Sequence, residues 1–467
     1  MYPTAREVLA DLAARRVSAR ELLDARLARH EAVHPVLNAV VQTDVERARR
    51  EAAAVDEARA HGAEMGPLAG LPITVKDCFD VAGMPAVSGN PAFVGRGECA
   101  DAATIAIARA AGAVVWGKTN TPLNLGDIQS YNDVFGTTTN PYDRGRTPGG
   151  SSGGSAAALA AGVTDLEIGT DIGGSLRHPA NYCGVYALKP TWDRLPMRGI
   201  VPPLPERWAP PDLSVAGPMA RTADDLALLW EVLAARPAPR GDVTGMRVAL
   251  WVEEPGYPLA ADVRAAVERA GDALRAQGAK VEVATPPFGD GTGAGNDVYL
   301  ALLLTILGAR NLTPEQWAAV AANRPAEPGP RYRSAAFAYH ATASYREFAA
   351  AAAARQRLKD RLAEWFAGWD AILCPVGPVP AFPHQHEGTL FDRDLDVDGA
   401  AVPYGHLFDW IALATACHAP ALAAPAGATA NGLPLGVQLI GRWDEEHRLL
   451  DLARALEAGI GRPAPPA

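Results

Sequence analysis

Short apolar segments of strand character alternate with helical segments along most of this sequence. Residues 71–75 (LPITV) and 113–117 (AVVWG) have the composition of buried strands, and an alanine-rich helix separates them. Residues 246–252, a helix near 260–277 and residues 281–285 repeat the pattern. Strands that alternate with helices are typical of a sheet covered by helices. The sequence therefore predicts an α/β fold, and we expect both units to join one sheet.

The N-terminal segment is predicted to be helical throughout. Thr4 and Glu7, and again Ser18 and Glu21, have the spacing of a capping box, in which two side chains satisfy backbone N–H groups at a helix start. Leucines at helical spacing follow both boxes. We interpret residues 1–65 as a helical layer that covers the fold and carries no catalytic group.

The chain length bounds the number of domains. A single core stops growing at about 250–300 residues, and this chain has 467. It is therefore one large α/β unit or two to three domains. A proline-rich segment, residues 202–211, predicts a surface excursion. Residues 286–345 are less patterned, apart from a helical segment at 298–310 (VYLALLLTILGAR), and we expect an irregular insertion that acts as a lid or substrate wall.

Charge and composition exclude several classes of protein. The formal net charge is −10, and Lys and Arg form no basic stripe, so a nucleic acid partner is not expected. No apolar run approaches the roughly 20 residues that a bilayer requires. With no N-terminal signal visible, we predict a cytoplasmic protein without a membrane partner. The five cysteines lack C-x-x-C spacing, which disfavours a structural zinc site and a disulfide framework.

Two glycine-rich segments carry serines, RTPGGSSGGSAAA at 146–158 and TDIGGSLRHPA at 170–180. The first lacks the lysine of a P-loop and the spacing of a dinucleotide-binding turn. In the second, Ser175 lies in GGSLR, which is not a nucleophile elbow. Ser155 and the alanines after it are interpreted as a tightly packed helix start. The serines preceded by glycine remain candidates for nucleophilic chemistry, which requires a base.

A lysine whose pKa is lowered by burial can act as that base. Lys76 (ITVKDCFD) and Lys118 (VVWGKTN) each follow an apolar strand, where a side chain emerges from a sheet edge. Lys189 (ALKPTW) is a third candidate. Spacing alone does not rank the three lysines.

The motifs around three of these residues resemble those of the amidase signature family. They are GLPITVKD with Lys76, PGGSSGGSAAA with Ser151 and GTDIGGSLRHPA with Ser175. The resemblance covers nearly the whole chain. It implies one domain over 1–467, with the signature core over 66–200. It also implies the amidase signature fold, a large mixed, mainly parallel, twisted β-sheet with helices on both faces.

The resemblance also implies roles for these residues. Ser175 is the expected nucleophile, Ser151 is a bridging serine behind a cis peptide bond, and Lys76 is the terminal base. Lys118 and Lys189 are then either structural or support the catalytic residues from behind. The charge that develops on the substrate carbonyl oxygen needs fixed donors. We expect the backbone N–H groups of Ile172, Gly173, Gly174 and Ser175 to form this oxyanion hole, because glycine lets the chain turn its amides inward. Side chains expected to hold the catalytic hydroxyls by hydrogen bonds are Ser152, Asp171 and Arg177.

Histidines offer a rival mechanism. His178 lies three residues after Ser175. A Ser-His pair, in which His178 takes the proton of Ser175, is therefore the alternative to Lys76 as the base. His30 with His34, and His384 with His386, are close enough in sequence to bind a metal. Because neither pair has acidic or cysteine partners in a ligand pattern, we expect exposed side chains and no metal site.

The implied function is hydrolysis of C–N bonds in linear amides through an acyl-enzyme, extending to anilides, esters or carbamates. We expect a small-molecule amide or carbamate substrate, no cofactor, and a monomer or homodimer. The alternative is the glutaminase component of a tRNA-dependent amidotransferase, which requires a partner protein. A third hypothesis is a binding protein on a decayed amidase scaffold, which intact Lys76, Ser151 and Ser175 disfavour.

Overall fold

A computed structural model describes residues 2–203, 211–288 and 294–466 of the chain. Within these residues the helices are α1 (Ala5–Ala13), α2 (Ala19–Leu37), α3 (Val45–Ala60), α4 (Ala103–Ala110), α5 (Gly153–Ala160), α6 (Arg177–Cys183), α7 (Ala223–Ala234), α8 (Ala261–Ala276), α9 (Ala294–Asn311), α10 (Pro314–Ala322), α11 (Ser334–Ala341), α12 (Tyr345–Trp365), α13 (Asp409–Ala416) and α14 (Glu446–Ile460). The strands are β1 (Val40–Thr43), β2 (Pro72–Lys76), β3 (Val114–Thr119), β4 (Tyr131–Asn132), β5 (Gly136–Thr137), β6 (Leu166–Asp171), β7 (Tyr186–Lys189), β8 (Val215–Ala220), β9 (Arg247–Leu250), β10 (Lys280–Val283), β11 (Ala371–Pro375), β12 (Asp394–Val397), β13 (Ala400–Pro403), β14 (Ala421–Ala428) and β15 (Pro434–Gly441).

Eleven of these strands form one sheet, in the order β1-β3-β2-β6-β8-β7-β14-β15-β11-β9-β10. The two strand-helix-strand units predicted from the sequence both belong to it, which confirms that prediction. Every residue of β6, β8, β11 and β15 is buried. Because successive side chains of a strand point to opposite faces, helices and loops must cover both faces of this sheet. The large mixed sheet in an α/β fold is therefore confirmed.

The sheet contains more antiparallel pairing than the expected mainly parallel arrangement. The parallel neighbours are β2 with β3 and β6, and β9 with β10 and β11. The other six neighbouring pairs of the described sheet are antiparallel. The β14–β15 pair is one example, since a short turn joins these strands. Parallel neighbours instead need a long crossover connection, usually a helix. The alternation of strands and helices in a sequence therefore indicates parallel pairs more readily than antiparallel ones.

The N-terminal layer is helical, with one exception. Both capping boxes form, at the starts of α1 and α2. The exception is β1, which pairs with β3 at the sheet edge, so the prediction of helix throughout was wrong there. A four-residue strand paired on one side leaves little periodic signal in a sequence.

The segment predicted as an irregular insertion, residues 286–345, is mainly helical. It contains α9, α10 and α11, and its residues 289–293 lie outside the described part of the chain. The proline-rich surface excursion over 202–211 also lies largely outside the described residues. No helix in the described ranges combines the length and apolar character needed to cross a membrane.

Candidate active site

Lys76 is the last residue of β2, and its side chain is fully buried. β2 lies between β3 and β6 and runs parallel to both, so β2 and β6 end at the same edge of the sheet. The Lys76 ammonium lies 2.7 Å from the Ser151 hydroxyl oxygen and 2.9 Å from that of Thr170. The structure therefore joins Lys76 and Ser151, which are 75 positions apart in the sequence.

Burial changes the acid–base behaviour of Lys76. It lowers the pKa of the amine from 10.5 to about 8, and the charge of Arg310 adds to this effect. Cys78, Asp171 and Glu167 act in the opposite direction. The uncharged amine that a general base requires is therefore accessible near neutral pH.

Ser151 follows a cis peptide bond from Gly150. A Cβ atom at Gly150 would lie 2.5 Å from the backbone nitrogen of Gln129, so only glycine fits there. The next residue, Ser152, donates its backbone N–H to the carbonyl of Ser175 at 3.2 Å. This bond ties the segment of the bridging serine to the loop of the candidate nucleophile.

Ser175 lies in the loop between β6 and α6, with 5% of its surface exposed. Asp171, at the end of β6, accepts hydrogen bonds from the backbone N–H groups of Gly174 and Leu176. Gly174 has a φ of +86°, a conformation that favours glycine. The carboxylate and the glycine together fix the turn that presents Ser175.

The four N–H groups expected to stabilise an oxyanion are not equivalent. That of Gly174 donates to Asp171 at 2.9 Å. Those of Ile172, Gly173 and Ser175 have no acceptor within the described part of the chain. The carbonyl of Ile172 accepts a hydrogen bond from the Tyr299 hydroxyl at 2.9 Å, which fixes the peptide before Gly173. Gly174 is therefore the least available of the four donors, because its N–H is already paired with Asp171.

Asp171 and Arg177 form a fully buried ion pair, 2.9 Å apart. Burial alone would raise the pKa of Asp171, but the guanidinium lowers it well below its ordinary value. Arg177 also donates to Thr415 at 2.8 Å and to Gln438 at 3.1 Å. The pair holds the loop backbone and anchors it to the rest of the fold.

The side chains of Ser152, Asp171 and Arg177 bond to backbone groups and to other side chains, and not to the hydroxyls of Ser151 or Ser175 in the described residues. The Ser152 hydroxyl donates to the carbonyl of Thr170 at 3.4 Å. The hydrogen bonds of Asp171 and Arg177 likewise do not include the hydroxyls of Ser151 or Ser175. In this structure these side chains shape the turn, and their direct support of the two hydroxyls stays a prediction.

The other two candidate lysines lie in different surroundings. Lys118 forms a buried ion pair with Asp77 at 2.7 Å. Lys189 donates to the carbonyl of Pro190 at 3.0 Å, and burial lowers its pKa to about 7. Neither lysine has a hydrogen bond to Ser151 or Ser175, so the structure ranks the three candidates where the sequence did not.

His178 is buried and bonded away from Ser175. Its Nε2 lies 2.9 Å from the carbonyl oxygen of Leu407, which only accepts, so Nε2 carries the hydrogen. Burial lowers the pKa of His178 to about 4. No hydrogen bond joins His178 to Ser175 within the described residues, which disfavours a Ser-His pair.

The histidine pairs differ in part from the expected exposed side chains. The rings of His30 and His34 lie 4.7 Å apart, and His30 packs on Trp116 at 5.6 Å. His384 is half-buried, whereas His386 is exposed and stacks on Tyr131. In the described ranges, no group of three or more His, Cys, Asp or Glu is arranged to hold a metal ion.

Thr170 and Tyr299 are two site residues that the sequence reasoning missed. Thr170 accepts a hydrogen bond from Lys76, and its place directly before Asp171 in GTDIGGS was an available signal. Tyr299 reaches the site from α9, 127 positions from Ile172, and no local pattern indicates this contact.

Comparisons with known proteins show the family of the chain. The sequence profile of the Amidase family matches residues 21–450. A glutamyl-tRNA(Gln) amidotransferase subunit of Anaeromyxobacter sp. (strain K) is 34% identical over 99% of this chain and 97% of its own length. The putative amidase AmiB2 of Mycobacterium tuberculosis (strain ATCC 25618 / H37Rv) is 33% identical over 95% and 93%.

Solved structures agree as well. A crystal structure of an amidase is 30% identical, covers 98% of this chain and 100% of its own, and has a TM-score of 0.81. A bacterial aryl acylamidase of the amidase signature family, at 23% identity, covers 98% and 96% with a TM-score of 0.83, which supports the fold alone. The chain therefore belongs to the amidase signature family.

Proposed function

We propose that this protein hydrolyses the C–N bond of linear amides through an acyl-enzyme on Ser175. The observation that carries the proposal is the 2.7 Å contact between the buried amine of Lys76 and the hydroxyl of Ser151. An amine with a lowered pKa beside a hydroxyl is a base in contact with its first proton donor. The proposed substrate is a small-molecule amide, with anilides, esters and carbamates as extensions.

In the proposed mechanism, Ser175 attacks the substrate carbonyl and passes its proton to Ser151, which passes its own proton to Lys76. No hydrogen bond joins the hydroxyls of Ser151 and Ser175 in the described residues, and the proposed mechanism therefore requires the two to approach each other when substrate binds. Catalytic hydrogen bonds often tighten in this way. The relay then reverses and protonates the leaving amine, and water releases the acyl group.

The negative charge that develops on the carbonyl oxygen requires fixed donors. The backbone N–H groups of Gly173 and Ser175 are suited to this role, because the turn held by Asp171 leaves both unpaired among the described residues. Removing one donor of this kind raises the barrier by about 2.7–4 kcal/mol in a comparable site. No metal or cofactor is part of the proposal.

The experiment is a hydrolysis panel of aliphatic amides, anilides, carbamates and glutamine with the wild-type protein and Ser175→Ala. We expect the variant to lose turnover while its melting temperature is retained. Ser18→Ala is the matched control, since it removes a hydroxyl that bonds, among the described residues, only to Glu21 in the cap of α2. Turnover by Ser175→Ala at the wild-type rate would contradict the proposal.

A second candidate function is the glutaminase component of a tRNA-dependent amidotransferase. Curated relatives at 34% identity along nearly their whole length carry the name of such an amidotransferase, which favours it. This function predicts hydrolysis of glutamine that depends on a co-purifying partner protein. Hydrolysis of simple anilides by the isolated chain, as a monomer or homodimer, favours the first candidate.

A further inference from the structure

Arg310 is a half-buried cation whose hydrogen-bonding capacity is largely unused. It lies at the end of α9 and donates from Nη2 to the carbonyl of Pro202 at 2.5 Å. Its Nε is shielded from solvent and has no acceptor among the described residues. No carboxylate of those residues forms an ion pair with it. A guanidinium carries five N–H donors, so one neutral acceptor leaves it undersatisfied.

The hydrogen bonds of Val201, the residue before Pro202, place Arg310 beside the end of β2, which carries Lys76. The preceding residue, Val201, donates its N–H to the carbonyl of Cys78 at 2.8 Å. The carbonyl of Val201 accepts a hydrogen bond from the Ser88 hydroxyl at 2.6 Å. Cys78 is two residues beyond Lys76, and the charge of Arg310 adds to the effect of burial in lowering the pKa of that lysine. Arg310 is thus within electrostatic reach of the relay.

Helix α9 connects the two ends of the candidate site. Tyr299 bonds to Ile172 in the Ser175 loop, and Arg310 follows about three helical turns later on the same face. Leu303 and Ile306 occupy the positions between them on this face. This face of the helix is therefore apolar between Tyr299 and Arg310, and it ends in a cation at the Lys76 side.

The direction of proton transfer indicates which half of the substrate reaches that side. In the proposed mechanism the leaving amine receives its proton through Ser151 from Lys76, so the amine half must face these residues. We propose that Arg310 binds a carboxylate on the amine half, and that the preferred substrates are amides of amines that carry a carboxylate. This inference rests on the proposed function. A guanidinium fork matches a carboxylate in two parallel hydrogen bonds.

The bonds that change are those of the amide alone. The Ser175 oxygen bonds to the acyl carbon, the C–N bond breaks, and the amine leaves with the proton that Ser175 gave up. Water then supplies the hydroxyl of the released acid and restores the proton of Ser175. The carboxylate on Arg310 is unchanged and leaves with the amine.

The test compares two anilides that differ in charge at one position. The substrates are 4-butyramidobenzoate and butyryl 4-nitroanilide, whose nitro group is a neutral isostere of the carboxylate. We expect Arg310→Met to lower kcat/KM for the carboxylate by about 10- to 150-fold, chiefly through KM, as for a lost hydrogen bond to a charged group. The nitroanilide should be affected little, and Arg310→Lys should retain part of the preference.

Arg346→Met is the matched control, because Arg346 is exposed on α12. It should leave both substrates unchanged, and melting temperatures of all variants check that they fold. If Arg310→Met lowers kcat/KM equally for both substrates and shifts the pH profile, Arg310 acts on the pKa of Lys76. That result would overturn the inference. A larger loss on glutaryl 4-nitroanilide would overturn it too, since that carboxylate is on the acyl half.

Binding of 4-aminobenzoate to Ser175→Ala, measured by calorimetry, separates this inference from the proposed function. We expect binding that Arg310→Met abolishes in the same background. Binding that depends on Arg310, without any hydrolysis by the wild-type chain, would contradict the function and leave the anion site standing. Hydrolysis that depends on Ser175, together with 4-aminobenzoate binding that Arg310→Met leaves unchanged, would contradict only the inference about Arg310.

Discussion

The pH dependence of hydrolysis gives a quantitative test of the role of Lys76. Only the uncharged amine accepts a proton from Ser151, so kcat/KM should follow the neutral fraction of Lys76. Burial lowers the pKa of this amine to about 8, from an ordinary value of 10.5. About 10% of the amine is then neutral at pH 7 and about 90% at pH 9. We therefore expect kcat/KM to rise roughly tenfold over this interval and then to level off.

The assay follows the release of 4-nitroaniline from an anilide between pH 6 and pH 10 at constant ionic strength. Lys76→Met should lose the rise together with most of the activity. Lys280→Met is the control, because Lys280 is an exposed lysine on β10, and it should reproduce the wild-type profile. A rate that continues to rise tenfold per pH unit up to pH 10 would indicate a lysine with an ordinary pKa. That result, or a flat profile, would refute the reasoning.

Three further substitutions test the support of the site and the fold. Arg177→Met leaves Asp171 buried and charged, and should lower the free energy of unfolding by about 3–5 kcal/mol in urea titrations; unchanged stability would contradict the ion pair's role. Gly150→Ala places a Cβ atom 2.5 Å from the backbone nitrogen of Gln129 and should abolish turnover of the folded protein; wild-type rates would contradict the close packing there. Ser18→Ala removes the cap of α2 and should cost about 0.5–2 kcal/mol of stability with kcat unchanged; a loss of kcat would show that this helix shapes the site.

The sequence was sufficient to predict the parts of the site that depend on local patterns. An apolar strand followed by Lys76 indicated a side chain at a sheet edge, and the GTDIGGS segment indicated the turn at Ser175. The motifs then related these residues to Ser151. The structure adds the contact between Lys76 and Ser151, which depends on the packing of the segment before α5 against the end of β2.

Other parts of the site depend on packing between distant segments. Tyr299 and Arg310 lie on a helix whose sequence is mainly apolar, and only its position across the site gives them a role. The partners of Arg177 on later elements of the chain are equally invisible in local sequence. The antiparallel share of the sheet was underestimated for the same reason, because pairing between distant strands leaves no periodic signal.

Covalent labelling of Ser175 tests the central claim most directly. A fluorophosphonate forms a stable bond with an activated serine, and peptide mass spectrometry locates the adduct. We predict one adduct, on Ser175, no adduct in Ser175→Ala, and much slower labelling in Lys76→Met. An adduct on another residue, or labelling of Ser175 at the same rate without Lys76, would contradict the account.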